Sequence, residues 1–193
     1  MDAAIAALIG AGIAGSISVC AFLVNYFITR MNLDHVSARE FAKIALELKT
    51  QQLSELYGPL MALVEQDRRL AQKLREGKGD PEEWKLLDNL PEVLENPQDK
   101  AIVERIMEID AKIEDLIINK MGLVRTPGPP ESFDLFLGHY KALTLAMAGE
   151  ERPNIAEFEY YPRKLNEDIK EAYEAIQHER EDILRRYEHR PSR

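Results

Sequence analysis

From Ala3 to Thr29 the chain carries no charged residue, and this run constrains everything that follows. About 27 residues make a helix roughly 40 Å long at 1.5 Å per residue, enough to cross a hydrocarbon core of roughly 30 Å with tilt. Within it Gly10, Gly12 and Gly15 spell G-x-G-x-x-G, and Asp34 follows where a ribose-binding acid belongs in a dinucleotide site. That fingerprint needs a strand before its first glycine and a second strand ending in the acid. The alanine-rich "MDAAIAALI" upstream is a helix former, and no Gly, Pro or Asp marks a turn between Gly15 and Asp34. The run is therefore read as a transmembrane anchor, residues 1–30, followed by a soluble domain, residues 31–193. A secretory signal would begin with basic residues and have a shorter apolar stretch, whereas this chain has Asp2, so the anchor is expected to be retained.

Arg30, Arg39 and Lys43 flank the run on its C-terminal side and no cation precedes it. Cations collect on the cytoplasmic side, which predicts a single-pass protein of the inner (cytoplasmic) membrane with its C-terminal domain in the cytoplasm. The single cysteine, Cys20, lies inside the run, so no intramolecular disulfide can form. Removing residues 1–30 takes away one Arg and one Asp, so the soluble part keeps the net charge of −9. Such a surface repels phosphate backbones, and nucleic acid is not expected as a partner.

Helical periods dominate the remainder. Phe41, Ile44 and Leu48 open a stripe that resumes at Leu53, Leu56, Leu60 and Leu63, with a bend expected at Gly58-Pro59, which places Leu60, Leu63 and Val64 in a core. Asp80-Pro81 and Asn96-Pro97 are helix-start signals. Ile102, Ile106, Ile109, Ile113 and Leu116 form a second stripe, and Phe133, Phe136, Tyr140, Leu143 and Met147 a third, stopped by Gly149. "ERPNIAEFEYYP" reads as an irregular connector. Leu165, Ile169, Tyr173, Ile176, Ile183, Leu184 and Tyr187 mark the last helix. Each stripe needs a cover, so the fold class is all-α: an N-terminal transmembrane helix followed by a four- or five-helix bundle.

Catalytic and metal-binding patterns are sparse. None of His35, His139, His178 and His189 has a glutamate three residues before it, and H-E-x-x-H, C-x-x-C, G-x-S-x-G and G-K-[ST] do not occur. No cofactor or metal is expected. Arg30 and His35 enclose four residues, the R-x4-H spacing of helical ribonucleases resembling the HEPN family, in which histidine serves in acid-base catalysis and arginine stabilises phosphate charge. The opposing interpretation is an interfacial anchor, with Arg30 reaching lipid head groups. His139 is read as a hydrogen-bonded core histidine. Tyr160 and Tyr161 either dock a partner or tie the connector down.

The small residues of the run supply a physical reason for its glycines. Ala3, Ala7, Ala11 and Gly15 lie four apart, and Ala6, Gly10, Ala14 and Ser18 form the neighbouring ridge. Two such rows allow helices to approach closely in lipid, which predicts a homo-oligomer assembled through Ala3, Ala7, Gly10, Ala11, Ala14, Gly15 and Ser18. The function expected is that of an oligomeric scaffold or pore, in contact with membrane lipid and with copies of itself, whose cytoplasmic domain receives a protein partner. The alternative is a membrane-tethered HEPN-like ribonuclease using Arg30 and His35.

"LYGPL" at Leu56–Leu60, "IEDLIINKMGLV" at Ile113–Val124 and "PESFDLFLGHYKAL" at Pro130–Leu143 resemble a family of small bacterial proteins with one N-terminal span and a helical soluble domain. The resemblance covers residues 50–175 and implies a bacterial membrane-anchored helical domain; it brings no activity, cofactor or catalytic residue. The layout is also similar to that of accessory membrane proteins of CRISPR defence systems, some of which form oligomeric pores.

Overall fold

Leucines, isoleucines and alanines spaced three and four apart favour helices that cover one another, and the computed structural model shows such an arrangement. It describes residues 25–30, 38–78, 84–125, 127–151 and 155–188, and no strand occurs among them. Residues 25–30 are helical, with Tyr26, Phe27 and Ile28 exposed. No helix among the described residues is long and apolar enough to cross a membrane, and residues 1–24, most of the charge-free run, lie outside them. The expected transmembrane helix and its ridges from Ala3 to Ser18 therefore fall outside the described residues, as does the start signal at Asp80-Pro81.

The helix α1 is continuous over residues 38–75: α-helical at 38–51, π-helical at Gln52–Tyr57 and α-helical again at Gly58–Arg75. The proline does not end the helix. Pro59 has no N–H to offer the preceding turn, and the chain accommodates it by widening that turn, with the Gly58 N–H donating to the Leu53 carbonyl five residues back. A Cβ at Gly58 would stand 2.6 Å from that oxygen, so glycine is what lets the wide turn close. Thr50 and Ser54 already loosen the helix on the approach, each hydroxyl donating to a carbonyl four residues earlier at 2.8 Å.

Asn96 starts α3 (Pro97–Asn119) as expected, its side chain accepting from the backbone N–H groups of Gln98 at 2.9 Å and Asp99 at 3.5 Å. The short α2 (Leu90–Glu95) precedes it. A 3-10 turn at Met121–Leu123 follows, then α4 (Glu131–Met147), which ends where Gly149 takes a φ of 72°. The connector contains a 3-10 turn, Ala156–Phe158, and leads into α5 (Leu165–Glu188).

The longest seam is between α1 and α3, with α5 beside α1 and α4 against α3. Two apolar clusters result. One joins Leu56, Leu60 and Val64 of α1 to Ile109, Ile113 and Ile117 of α3, Phe133 and Phe136 of α4 and Leu165, Ile169 and Ile176 of α5. The other joins Leu74 to Leu90, Val93, Val103, Ile106 and Leu143. Leu60 and Val64 are buried as the stripe predicts, with Leu63 packed at the edge.

Candidate functional site

One stripe is not covered. Phe41, Ile44 and Leu48, which sequence spacing assigned to the bundle, are 73 %, 62 % and 42 % exposed. The face turned inward is Ala42, Ala45, Leu46 and Lys49, all half-buried. The reason lies in where the other helices end. The turn after α3 meets α1 at the π-turn: Gln52 Nε2 donates to the Leu123 carbonyl at 2.9 Å, the Arg125 N–H donates to Tyr57 Oη at 3.0 Å, and Lys120 pairs with Glu55 at 2.8 Å. Beyond that turn α1 is tied to α5, through Lys49 Nζ to Glu179 Oε2 at 2.7 Å. Arg125 reaches the same carboxylate at 2.9 Å, and Lys49, then Arg125, hold Glu179 below the usual carboxylate range. A helix with one neighbour covers one face and leaves another bare.

The second unusual region is the inverse of the first. Asp67 of α1 and Asp110 of α3 are 2 % and 0 % exposed. They lie where the two apolar clusters meet, Asp67 between Val64 and Leu74, and Asp110 between Ile106 and Ile113. Neither oxygen of Asp110 has a hydrogen-bond partner, nor does Asp67 Oδ1. Burial pushes both carboxyls up, Asp67 to about 7 and Asp110 to about 9, and the negative charge of Asp67 adds to the rise at Asp110. Tyr161 and Arg75 oppose the rise at Asp67, the first as a hydrogen-bond donor and the second through its charge. The Tyr161 hydroxyl stands close enough to act on Asp67, yet it falls short of closed hydrogen-bond geometry. Burial, then the charges of Asp67 and Asp110, raise that hydroxyl well above its ordinary value.

The connector holds Tyr161 in place. Its ring stands edge-on to Phe136 at 5.9 Å and to His139 at 6.0 Å. His139 is the core histidine that the sequence predicts: buried, with its Nδ1 2.9 Å from the Phe158 carbonyl. A carbonyl only accepts, so Nδ1 carries the proton, and burial holds the ring below its ordinary value. The Phe158 ring rests on Gly138, where a Cβ would come within 2.2 Å of it. Lys85 pairs with Glu159 at 2.7 Å and lies 4.1 Å from the centre of the Tyr160 ring. Of the two tyrosines, Tyr161 ties the connector down and Tyr160 is half exposed.

Arg30 is exposed at the end of segment 25–30, and His35 lies outside the described residues, so no geometry joins them. No group of three or more His, Cys, Asp or Glu side chains among the described residues could hold a metal ion. Sequence reading passed over Asp67 and Asp110, although a signal was available. Asp67 follows Leu60, Leu63 and Val64 at seven, four and three residues, and Asp110 stands four after Ile106 and three before Ile113. Both acids occupy core positions of an apolar stripe. No protein-family model matches the chain, and no curated protein or solved structure is significantly similar to it.

Proposed function

We propose that this chain is a single-pass protein of the inner membrane that self-associates as an oligomeric scaffold, with its helical bundle on the cytoplasmic side. The observation that carries the reading is the bare stripe Phe41, Ile44 and Leu48, which lies on α1, C-terminal in the sequence to a charge-free run with small-residue ridges. Identical anchors side by side in one membrane emerge at one height, which brings the same stripe of each copy into register. Full burial of such a side chain from water contributes about 1.5–3 kcal/mol, and a shared seam would gain the share of it that corresponds to the surface these three still expose. The flanking charges favour a second copy over a lipid surface. Arg39 and Lys43 are balanced by Glu40 and Glu47, and Lys49 is paired with Glu179, which leaves no net positive charge beside the stripe to attract anionic head groups. A pore is the stronger form of the same proposal, in which the closed ring also encloses water.

The test is the mass of the full chain in nanodiscs, for wild type, for a Gly10→Leu/Gly15→Leu variant and for Phe41→Glu/Leu48→Glu. An oligomer that both variants weaken is the expected result. A wild-type monomer at every concentration overturns self-association. An oligomer that survives Phe41→Glu/Leu48→Glu unchanged removes the stripe from the interface. Carbonate extraction and protease access from each side check the anchor and its orientation; release of the chain into the soluble fraction overturns both.

A further inference from the structure

The acid pair takes no part in self-association, and the packing around it makes a different demand. A buried polar group without a partner is costly, and a buried unpaired charge costs more. Two carboxylates cannot satisfy each other, because both only accept. One proton between them turns an acceptor into a donor, removes one charge and supplies a missing hydrogen bond in the same step.

Apart from the Tyr161 hydroxyl, the charged groups around the pair offer no substitute for that proton, and Asn166, at the start of α5, has its own Oδ1 buried without a partner. On α1, Arg75 acts from two turns away, while Arg68 and Arg69 are exposed and bound to Glu65. On α3, Glu114 is a further acid, and its charge together with that of Asp110 bears on Tyr140 of α4. His139 of α4 donates to Phe158, and Lys141 is exposed. In the connector and the first turn of α5, Arg163, Lys164 and Glu167 are exposed, and Asp168 accepts from the Ser132 hydroxyl at 2.5 Å. Arg180, whose Nε is buried without a partner, belongs to the far end of the bundle. The contact of Lys49 with Glu179 and the approach of Gly58 to Tyr173 set α1 and α5 antiparallel, which puts Arg180 near the level of Lys49, about 27 Å along α1 from Asp67.

We propose that Asp67 and Asp110 form a proton-binding pair that latches the connector 155–164 onto the bundle through Tyr161. With a proton in place, the pair carries at most a single charge, and the Tyr161 hydroxyl, already close enough to act on Asp67, stays against it. Without the proton, two negative charges face each other in a dry seam, and water must enter to solvate them. Helices close the seam on the α1 and α3 sides with apolar side chains, so the irregular connector is the wall that yields. Tyr161 then leaves its place against Phe136 and His139, and the His139–Phe158 bond and the seat of Phe158 on Gly138 open with it. The release runs toward alkaline pH.

Hydrogen exchange of the full chain in nanodiscs tests the latch, compared at about pH 6 and about pH 10 after correction for the intrinsic pH dependence of exchange. Wild type is expected to lose about tenfold or more of its protection at the backbone N–H groups of Phe158 and Glu159, which the 3-10 turn of the connector holds, beyond whatever loss α4 shows from the fall in global stability. Asp110→Asn, whose amide donates as the protonated acid would, is expected to keep that protection at the higher pH. Unchanged protection in wild type, or the same loss in Asp110→Asn, overturns the proposal. Should Asp110→Asn fail to fold, the carboxyl carbon resonances of wild-type aspartates decide: at least one aspartate still neutral at about pH 6 supports the pair, and titration of all of them near the ordinary value of about 3.9 overturns it.

Discussion

Two regions of this chain reverse the usual placement of side chains, and they do so for opposite reasons. The first half of α1 carries Phe41, Ile44 and Leu48 on the outside, because α3 and the turn after it end before they can cover it and α5 takes only the opposite face. The middle of the bundle carries Asp67 and Asp110 on the inside, because both acids occupy core positions of long amphipathic helices. An exposed apolar stripe costs the isolated fold little and is relieved by another molecule. A buried acid pair cannot be reached by another molecule, and a proton is the agent that relieves it. The outer region therefore points to a partner, and the inner one to a solution condition.

The sharpest way to break this comparison is to shorten one leucine in each region. Leu60→Ala, in the core, is expected to cost about 2–5 kcal/mol of folding stability, whereas Leu48→Ala on the stripe is expected to stay within about 0.5 kcal/mol. Urea unfolding of the full chain in detergent measures both. Equal losses would mean that the stripe is already covered within one copy.

Next in size is the response of stability to pH. Both acids have folded values above their unfolded ones, so the folded chain holds protons that the unfolded chain releases. Their contribution is complete below the ordinary carboxylate value near 4 and is lost as pH rises through about 7 and about 9. The slope approaches ~1.4 kcal/mol per pH unit for each proton involved. Melting temperatures across that range should fall in wild type and flatten in Asp110→Asn. A flat wild-type profile would show that the two carboxyls ionise normally and that the inner region is no exception at all.

Gly58 stands between the two regions and tests whether the π-turn separates them. Gly58→Ala places a methyl group 2.6 Å from the Leu53 carbonyl oxygen, and an expected loss of about 1–3 kcal/mol follows from forcing that turn to shift. The smallest effect belongs to Lys49→Ala, which removes the ion pair with Glu179 for about 0.2–1 kcal/mol. Its use is as a probe of attachment, since protease cleavage within 38–51 should rise if this contact holds the first half of α1 to α5.

Much of the bundle was legible from spacing alone. Leu60, Val64, Ile109, Ile113, Phe133, Phe136, Ile169 and Ile176 are all buried, because a residue repeated at three and four positions defines a face whatever the neighbour. The start at Asn96-Pro97 and the stop at Gly149 were equally local, as a cap and a left-handed turn depend on a few adjacent residues. His139 could be assigned to the core in advance, but its partner Phe158 lies nineteen residues away across a loop of irregular sequence.

What the amino-acid sequence determined by itself is periodic or local: the all-α class seen among the described residues, its stripes, its caps, and a run of 27 residues without charge. The tertiary structure alone decided which stripe stayed bare and which acids went under. Phe41, Ile44 and Leu48 have the same spacing as buried stripes, and their exposure depends on where α3 and its following turn stop. Asp67 and Asp110 resemble any surface acids of an amphipathic helix until α1 and α3 are laid face to face. Gly58-Pro59 announced a distortion, but whether the helix would break or widen depended on the Leu53 carbonyl accepting from Gly58 and on Gln52 and Tyr57 being held by the turn after α3. Periodicity specifies which face of a helix is apolar; the length and position of its neighbours specify how much of that face is covered.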